Sequence, residues 1–395
     1  MKGHIEKHET QRKLPRGHSC WSVIIETGRT PSGGRSRKRY TFFGTKGDAE
    51  AELNRRLHEL DTGALVTNER FTVSEYLKHW LKAYAKPSTA PRTYQRYEQL
   101  VRSHLIPGLG NHKLAKLTPL HVQNCYAKAL EEGRCDGKGG LAPQTVVHLH
   151  RVLHKALKQA MRWGYVTRNV VDAVTPPKVP HTEATALDEK QAVTLLRQME
   201  GTDLHLPVLL ALHTGMRSGE ILGLHWRDVD LENAVLTVGT TLQSVDRELI
   251  MREPKSNAGR RRIPLMGATV EALKAHGSAQ AEHIASGESY TDNDLVVCRK
   301  DGRPWHPSTF SAAWIAARNK LGLSVRFHEL RHTHASLLIH SGASAKALQE
   351  RLGHASAAFT LNVYGHLLPG VQERAVTDLE ALFGRVEKGL AEGDG

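Results

Sequence analysis

Cysteine is scarce. The 395 residues hold four, Cys20, Cys125, Cys135 and Cys298, and no two of them form a CxxC pair. That spacing argues against a disulfide framework and against a zinc ribbon, and leaves buried or incidental thiols. Long apolar runs are missing too: nothing approaches the roughly 18 consecutive apolar residues of a spanning helix, which speaks against a membrane protein. The start, Met1-Lys2-Gly3-His4-Ile5-Glu6, carries charge without the apolar stretch of a secretory signal, so a cytoplasmic protein is expected. Low-complexity segments and internal repeats are absent. With 39% hydrophobic and 24% charged residues, a chain of this length should form two or three globular domains.

Acidic residues are also short in supply, and unevenly so. The net charge is +13 and the pI about 9.6, which suggests a polyanionic partner. Residues 1–65 carry 13 Lys+Arg against 8 Asp+Glu, residues 66–176 carry 17 against 7, and residues 177–395 carry 24 against 26. The front is therefore +15 and the back −2. DNA-gripping modules followed by something else explain this split better than solubility does. The sign alone does not separate DNA from RNA or from an anionic membrane surface.

The first 65 residues read as a small sheet plus a helix. Trp21 to Glu26 and Arg39 to Phe43 have strand character, a turn-rich stretch from Gly28 to Gly34 joins them, and Asp48 to Leu60 has helical spacing. Arg35, Arg37, Lys38 and Arg39 lie at the end of the turn; on a two-stranded ribbon they would suit the major groove. Alone, they would more simply be a solvated charged hairpin. Residues 66–176 look entirely helical. Thr72-x-x-Glu75 is a capping box ahead of Val73, Tyr76, Leu77, Trp80 and Leu81, and Thr118-Pro119 and Ala142-Pro143 mark further starts. In the last helix, about 143–163, Arg151, Lys155, Lys158 and Arg162 fall along one side, partly opposed to Val147, Leu153, Leu157 and Met161. With no acid between 137 and 171, phosphate contacts are the favoured reading over a merely wet face. The run Thr175-Pro176-Pro177-Lys178-Val179-Pro180 halts helices and marks a domain boundary. Beyond it Asp188-x-x-Gln191 caps a new helix, strands are expected near 234–240 and 261–265, and helices resume from about 307.

The back half carries an ordered set of groups: Thr214-Gly215-Met216-Arg217-Ser218-Gly219-Glu220; Pro254-Lys255 ahead of Arg261-Arg262-Ile263; His328-Glu329-Leu330-Arg331-His332; Leu352-Gly353-His354; and Val363-Tyr364-Gly365-His366. Any one is weak. Taken alone, Arg217 would be a surface salt-bridge arginine, Lys255 a solvated turn lysine and Tyr364 a core or interface tyrosine. In this order, over about 150 residues, they resemble the tyrosine recombinase (phage integrase) family. The resemblance implies a multidomain, mainly α chain with small β elements. Its parts would be an α/β arm-type DNA-binding domain (1–65), a helical SAM-like core-binding domain (66–176), a linker (177–186) and a mixed α+β catalytic domain with a C-terminal tail (187–395).

By that resemblance Arg217 and Arg331 are the arginine pair, Lys255 the hairpin lysine, His328 and His354 the two histidines, and Tyr364 the nucleophile. Glu220 is read as the i+3 partner that orients Arg217. Elementary chemistry agrees. A tyrosine hydroxyl with a pKa of about 10 needs help to attack phosphorus. Two guanidiniums fork onto the phosphate oxygens and stabilise the charge that develops there. His328 is assigned the proton of Tyr364, His354 a hydrogen bond to phosphate, and Lys255 protonation of the departing 5′-oxygen. A 3′-phosphotyrosyl link conserves bond energy, so no ATP, metal or other cofactor is required. The implied partners are double-stranded DNA attachment sites, further copies of the chain in a homotetramer, and a directionality factor or host DNA-bending protein.

Three rival readings remain. His328-Glu329-x-x-His332 is formally the HExxH zinc-hydrolase signature, but the metzincin extension would need Gly at 335 and His at 338, where Ala335 and Leu338 stand. In the recombinase reading His332 is a buried, hydrogen-bonded helix residue. A type IB topoisomerase shares the phosphotyrosine chemistry but works as a monomer. A DNA-binding regulator without catalysis would be indifferent to Tyr364→Phe. After the nucleophile, Val376, Leu379, Leu382, Phe383 and Val386 form an apolar stripe on a segment, 371–395, with three basic and six acidic residues. The stripe would pack on its own domain or, by the resemblance, on a neighbouring subunit.

Overall fold

The computed structural model describes residues 3–10, 12, 14–29, 35–61, 71–180, 186–254, 257–286, 289–354 and, beyond them, 356, 358, 361, 364, 376, 377, 379–381 and 383. The chain divides into two compact units, Met1–His181 and Thr182–Gly395. Among the described residues no helix is long and apolar enough to cross a membrane. The four cysteines are free, with Cys20 buried, Cys125 and Cys298 half-buried and Cys135 exposed.

The first unit opens with an antiparallel sheet, β1 (Gly3–His8), β2 (Ser19–Arg29) and β3 (Arg35–Gly44), with β2 in the centre. Strand alternation turns Val23 and Ile25 to one face, where they are fully buried, and α1 (Lys46–Asp61) packs on β2 with Ala49 buried. β1 goes beyond the two strands expected. Its one aliphatic side chain, Ile5, leaves no alternating pattern to read; six backbone pairings with β2 hold it instead.

Helices follow. The capping box of Thr72 and Glu75 opens α2 (Val73–Trp80), which continues through a π turn (Leu81–Ala85) into α3 (Lys86–Ser88). In the same way α4 (Pro91–Leu100) passes through a π turn (Val101–Leu105) into α5 (Ile106–Leu109). Each widened turn ends two residues before a proline, Pro87 and Pro107. A proline ring would collide with the carbonyl four residues back, on Ala83 and Ser103, and the wider turn makes the room. Thr118 caps α6 (Pro119–Glu132), and Pro143 starts α7 (Pro143–Arg162). The shared core is Tyr76, Leu77, Trp80, Leu105, Tyr126, Leu149 and Leu153, each at most 1% exposed. On α7 the buried stripe runs through Val146, Leu149, Leu153, Ala156 and Ala160; it lies one position off the expected Val147, and Met161 is exposed.

In the second unit Asp188 and Gln191 form the expected capping box of α8 (Glu189–Met199). Next come α9 (His205–Thr214) and α10 (Ser218–Leu222). The strands are β4 (Val229–Asp230), β5 (Val235–Val238), a hairpin of β6 (Thr241–Val245) and β7 (Glu248–Arg252), and β8 (Arg261–Pro264). β4, β5 and β8 pair antiparallel in that order, and β6 pairs with β7 across Asp246 and Arg247, both at positive φ. The chain closes through α11 (Gly267–Ala285), α12 (Pro307–Lys320), α13 (Glu329–His340) and α14 (Ala345–Leu352). α9 is buried on nearly all sides, α13 packs along it, and their core joins Leu210, Leu236, Ile263, Leu273, Phe310 and Leu330.

Candidate active site

Two left-handed glycines set the site. α9 ends at Gly215 with φ 67°, and α14 ends at Gly353 with φ 66°. A Cβ on Gly215 would stand 2.6 Å from the His334 ring, and one on Gly353 would stand 2.7 Å from the Ala258 carbonyl oxygen. Only glycine fits both the torsion and the space. The two reversals present their neighbours, Arg217 and His354, to the same region as the start of α13.

Arg217 caps α10. Its backbone N–H donates to Glu220 Oε2 at 2.9 Å and its Nη1 to Oε1 at 2.7 Å. Glu220 does more than was expected of an i+3 partner. Strand alternation in β8 turns Arg261 inward and Arg262 outward, and Arg261 donates to Glu220 Oε2 at 2.8 Å and to Oε1 at 3.3 Å. Burial alone would raise this carboxyl, but the hydrogen bonds and charge of Arg261, with the charge of Arg217, win and hold it at about 2.

Arg331 is 2% exposed. Its Nη1 donates to the Gly215 carbonyl at 2.7 Å and its Nη2 to the Leu352 carbonyl at 2.5 Å, so both glycine turns grip it. Burial, and then the nearby Arg217, lower its pKa to about 9, which leaves it charged at neutral pH. Beneath it His334 donates from Nδ1 to the Leu212 carbonyl at 2.7 Å and accepts at Nε2 from Arg351 at 3.1 Å. That pattern fixes a neutral ring.

Tyr364 is 3% exposed. Its hydroxyl lies 2.9 Å from Nδ1 of His332. Burial raises its pKa above the ordinary tyrosine value, against a lowering by Arg331 and Arg217. The buried His354 ring is parallel to that of Tyr364, with centroids 6.3 Å apart. Burial and then Arg331 and Arg217 push His354 down to about 4. His328 sits just before α13 with its residue surface open, and its ring is perpendicular to that of His332 at 5.4 Å. Loss of solvent on the packed side, then the charges of His332 and Arg331, bring His328 to about 4 as well.

Arg217, His328, Arg331, His354 and Tyr364 are thus gathered in one cluster, while Lys255 lies outside the described residues. The proton contact assigned in sequence to His328 is made by His332, which was read as a buried structural residue and is half-buried. In sequence its HExxH spacing matches metal ligation, and nothing local links it to the tyrosine. Glu329, the base that a zinc hydrolase would need, accepts from the backbone of Arg326 at 2.5 Å and from its Nε at 2.7 Å. Among the described residues no three His, Cys, Asp or Glu side chains stand where they could hold a metal ion. The sequence assigns Arg261 no role, because its partner is 41 residues away and no local pattern announces the pair.

The expected DNA-contact residues fall in two places. On β3, Arg37 and Arg39 are exposed beside Glu26 and Glu6, and Lys38 is half-buried. The side chain of Arg35 lies outside the described residues. On α7, Arg151, Lys158 and Arg162 are exposed, and Lys155 lies 5.2 Å over the ring of Tyr97.

A buried tyrosine bonded to a histidine and flanked by one buried and one half-buried arginine is an arrangement able to hold a phosphate beside a phenolic oxygen. The comparisons agree. The model of the phage integrase family matches residues 185–370, and that of the phage integrase N-terminal SAM-like domain matches residues 72–130. A tyrosine recombinase XerC-like protein of Caldanaerobacter subterraneus subsp. tengcongensis is 27% identical over 389 residues, covering 93% of this chain and 97% of that protein. In fold, the chain matches the integrase of transposon Tn1549 in complex with transposon right end DNA, with a TM-score of 0.66, 20% identity and coverage of 79% of this chain and 99% of that one. It also matches a lambda integrase tetramer bound to a Holliday junction, with a TM-score of 0.55, 21% identity and coverage of 88% and 97%. The chain belongs to the tyrosine recombinase (phage integrase) family, whose enzymes cut and rejoin DNA.

Proposed function

We propose that the protein is the integrase of a mobile element, cutting and rejoining duplex attachment sites through Tyr364. The observation that carries this reading is the buried Tyr364 hydroxyl, bonded at 2.9 Å to an imidazole and set among Arg217, Arg331 and His354. The tyrosine oxygen attacks a scissile phosphate, the P–O5′ bond breaks, and a 3′-phosphotyrosyl link stores the bond for religation. Arg217 and the N–H groups of Arg331 not engaged by carbonyls bind the non-bridging oxygens. His354, neutral in this setting, carries one N–H, and its role is to donate to a phosphate oxygen. Lys255 protonates the 5′-oxygen. Neither ATP nor a metal has a step to perform.

In this reading residues 1–65 bind arm-type DNA with Arg35, Arg37, Lys38 and Arg39, and residues 66–176 bind the core site with Arg151, Lys155, Lys158 and Arg162. Residues 177–186 link them to the catalytic domain, 187–395. Four copies assemble on DNA in the cytoplasm, with a directionality factor or a host DNA-bending protein. Two features support assembly: Val376, Leu379 and Phe383 of the tail are more than half exposed, and an apolar groove runs between Val193, Leu196, Met266, Leu337 and Leu338. The tail of one copy is read as docking on the next.

The test uses DNA from the flanks of the gene. Wild type and Tyr364→Phe are incubated with it in EDTA and quenched in detergent. An adduct mapped to the Tyr364 peptide and absent from the variant is expected. DNA binding by both proteins without an adduct would favour a regulator, and an adduct formed in a parallel incubation without EDTA but not in EDTA would favour a metal enzyme.

A further inference from the structure

We propose that His332, rather than His328, is the base that takes the proton of Tyr364; the assignment rests on the recombinase reading above. A proton acceptor must lie about 2.6–3.2 Å from the donor atom, and Nδ1 of His332 is 2.9 Å from the hydroxyl. His328 is one helical turn earlier, edge-on to His332 with ring centroids 5.4 Å apart.

The surroundings put His332 in the state that a base requires. Facing it are Arg331 and Glu329 on its own helix, Arg326 and His328 just before it, and Tyr364 and His354 from the segment after α14. Burial, then Arg331 and Arg326, push its pKa below the ordinary histidine value, and Glu329 opposes them. The ring is therefore neutral at physiological pH; to act as the base it carries its hydrogen on Nε2 and offers the lone pair of Nδ1 to the hydroxyl. As Tyr364 attacks, its proton passes to Nδ1, the O–P bond forms and the P–O5′ bond breaks. The 5′-oxygen leaves with a proton from the general acid assigned above, Lys255. In religation His332 returns its proton to the tyrosine oxygen as the P–O bond to tyrosine breaks. Glu329, held by Arg326, offsets part of the charge on the transient imidazolium.

The experiment measures cleavage by the full-length protein on attachment-site DNA and on the same DNA with sulfur replacing the scissile 5′-bridging oxygen. Sulfur departs without protonation, so loss of a general acid is masked and loss of a base is not. His332→Asn sets an amide oxygen near the place of Nδ1: it keeps a hydrogen bond to the hydroxyl but cannot accept a proton. His332→Ala removes both. Cleavage is expected to fall about 100- to 1000-fold in both variants on both substrates. It should recover as the pH rises towards the tyrosine pKa, or when Tyr364 is replaced by a more acidic fluorotyrosine. DNA binding and cooperative unfolding verify that each variant is folded. Near-normal cleavage by His332→Asn would reduce His332 to a positioning residue, and a defect cured by sulfur would move it to the leaving-group side. Either result overturns the proposal. A wild-type protein that forms no adduct at Tyr364 overturns the recombinase reading and this assignment together. An adduct in wild type with undiminished His332→Asn overturns the assignment alone.

Discussion

Arg261 meets Glu220 with both terminal nitrogens, at 2.8 and 3.3 Å, and their side chains are 5% and 4% exposed. The same carboxylate binds Arg217, whose side chain is 40% exposed. Glu220 therefore ties an arginine of the core to one open to solvent, and its charge permits both cations to sit beside Arg331. Glu220→Gln should leave Arg261 buried without compensation. Unfolding in urea is expected to show a loss of about 3–5 kcal/mol, and cleavage should fall further than stability explains, because Arg217 loses its anchor. Full activity in a folded variant would count against this role.

Acid should weaken the catalytic domain in two windows. His334, held neutral by the Leu212 carbonyl and Arg351, has its pKa lowered to about 3. The unfolded chain therefore binds the proton first, and stability falls as pH drops from about 6.5 towards 3. Glu220, held at about 2, contributes stability that is complete above about 4.5 and lost as pH falls towards 2. Urea midpoints from pH 7 to 4 should decline, and His334→Gln should flatten that decline even if it lowers the starting value.

The glycine turns give a sharper test of how Arg331 is held. Gly215→Ala adds a methyl 2.6 Å from the His334 ring and 2.7 Å from Leu352, at a φ that alanine resists. Because Arg331 bonds the Gly215 carbonyl, displacement of this turn should reach the phosphate site. A loss of about 2 kcal/mol or more in stability is expected from strain and overpacking, with cleavage impaired beyond it. Gly137→Ala, at φ 68° with open space around its Cβ, is the control for torsion alone.

Much of this was legible because its signals are local. Thr72 with Glu75 and Asp188 with Gln191, three residues apart in each pair, announce helix starts, and the ordered site residues carry the family resemblance. Other features left no local trace. β1 is defined by its pairing to β2 rather than by its side chains. On α7 Leu153 and Leu157 are buried as the spacing predicts, but Val146 rather than Val147 faces the core and Met161 is exposed, because Val146 and Val147 are equally apolar and only the packing chooses between them. Glu220 and Arg261 meet across 41 residues. His332 is recognisable as a partner of Tyr364 only once α13 and the tyrosine are side by side.

The exposed cations of α7 predict a salt signature. If Arg151, Lys158 and Arg162 contact phosphates, each one neutralised to alanine should lower the slope of log affinity against log salt by about 1. Binding should weaken alike on specific and unrelated DNA. An unchanged slope in the triple variant would make this face a solvated one.

Assembly is tested at the tail. Val376, Leu379 and Phe383 are 56%, 55% and 59% exposed, an apolar surface that a single copy leaves open to water. A protein lacking residues 375–395 keeps Tyr364 and both basic faces, so it should bind a single core site as wild type does. Without a neighbour to engage, it should lose strand exchange between two sites by about 100-fold or more, roughly 3 kcal/mol of coupling. Replacing the three side chains with serine in the full chain should reproduce the loss, which separates the apolar contact from chain length. Intact recombination by both proteins would mean that the tail folds back on its own domain, and that the tetramer is held by other surfaces.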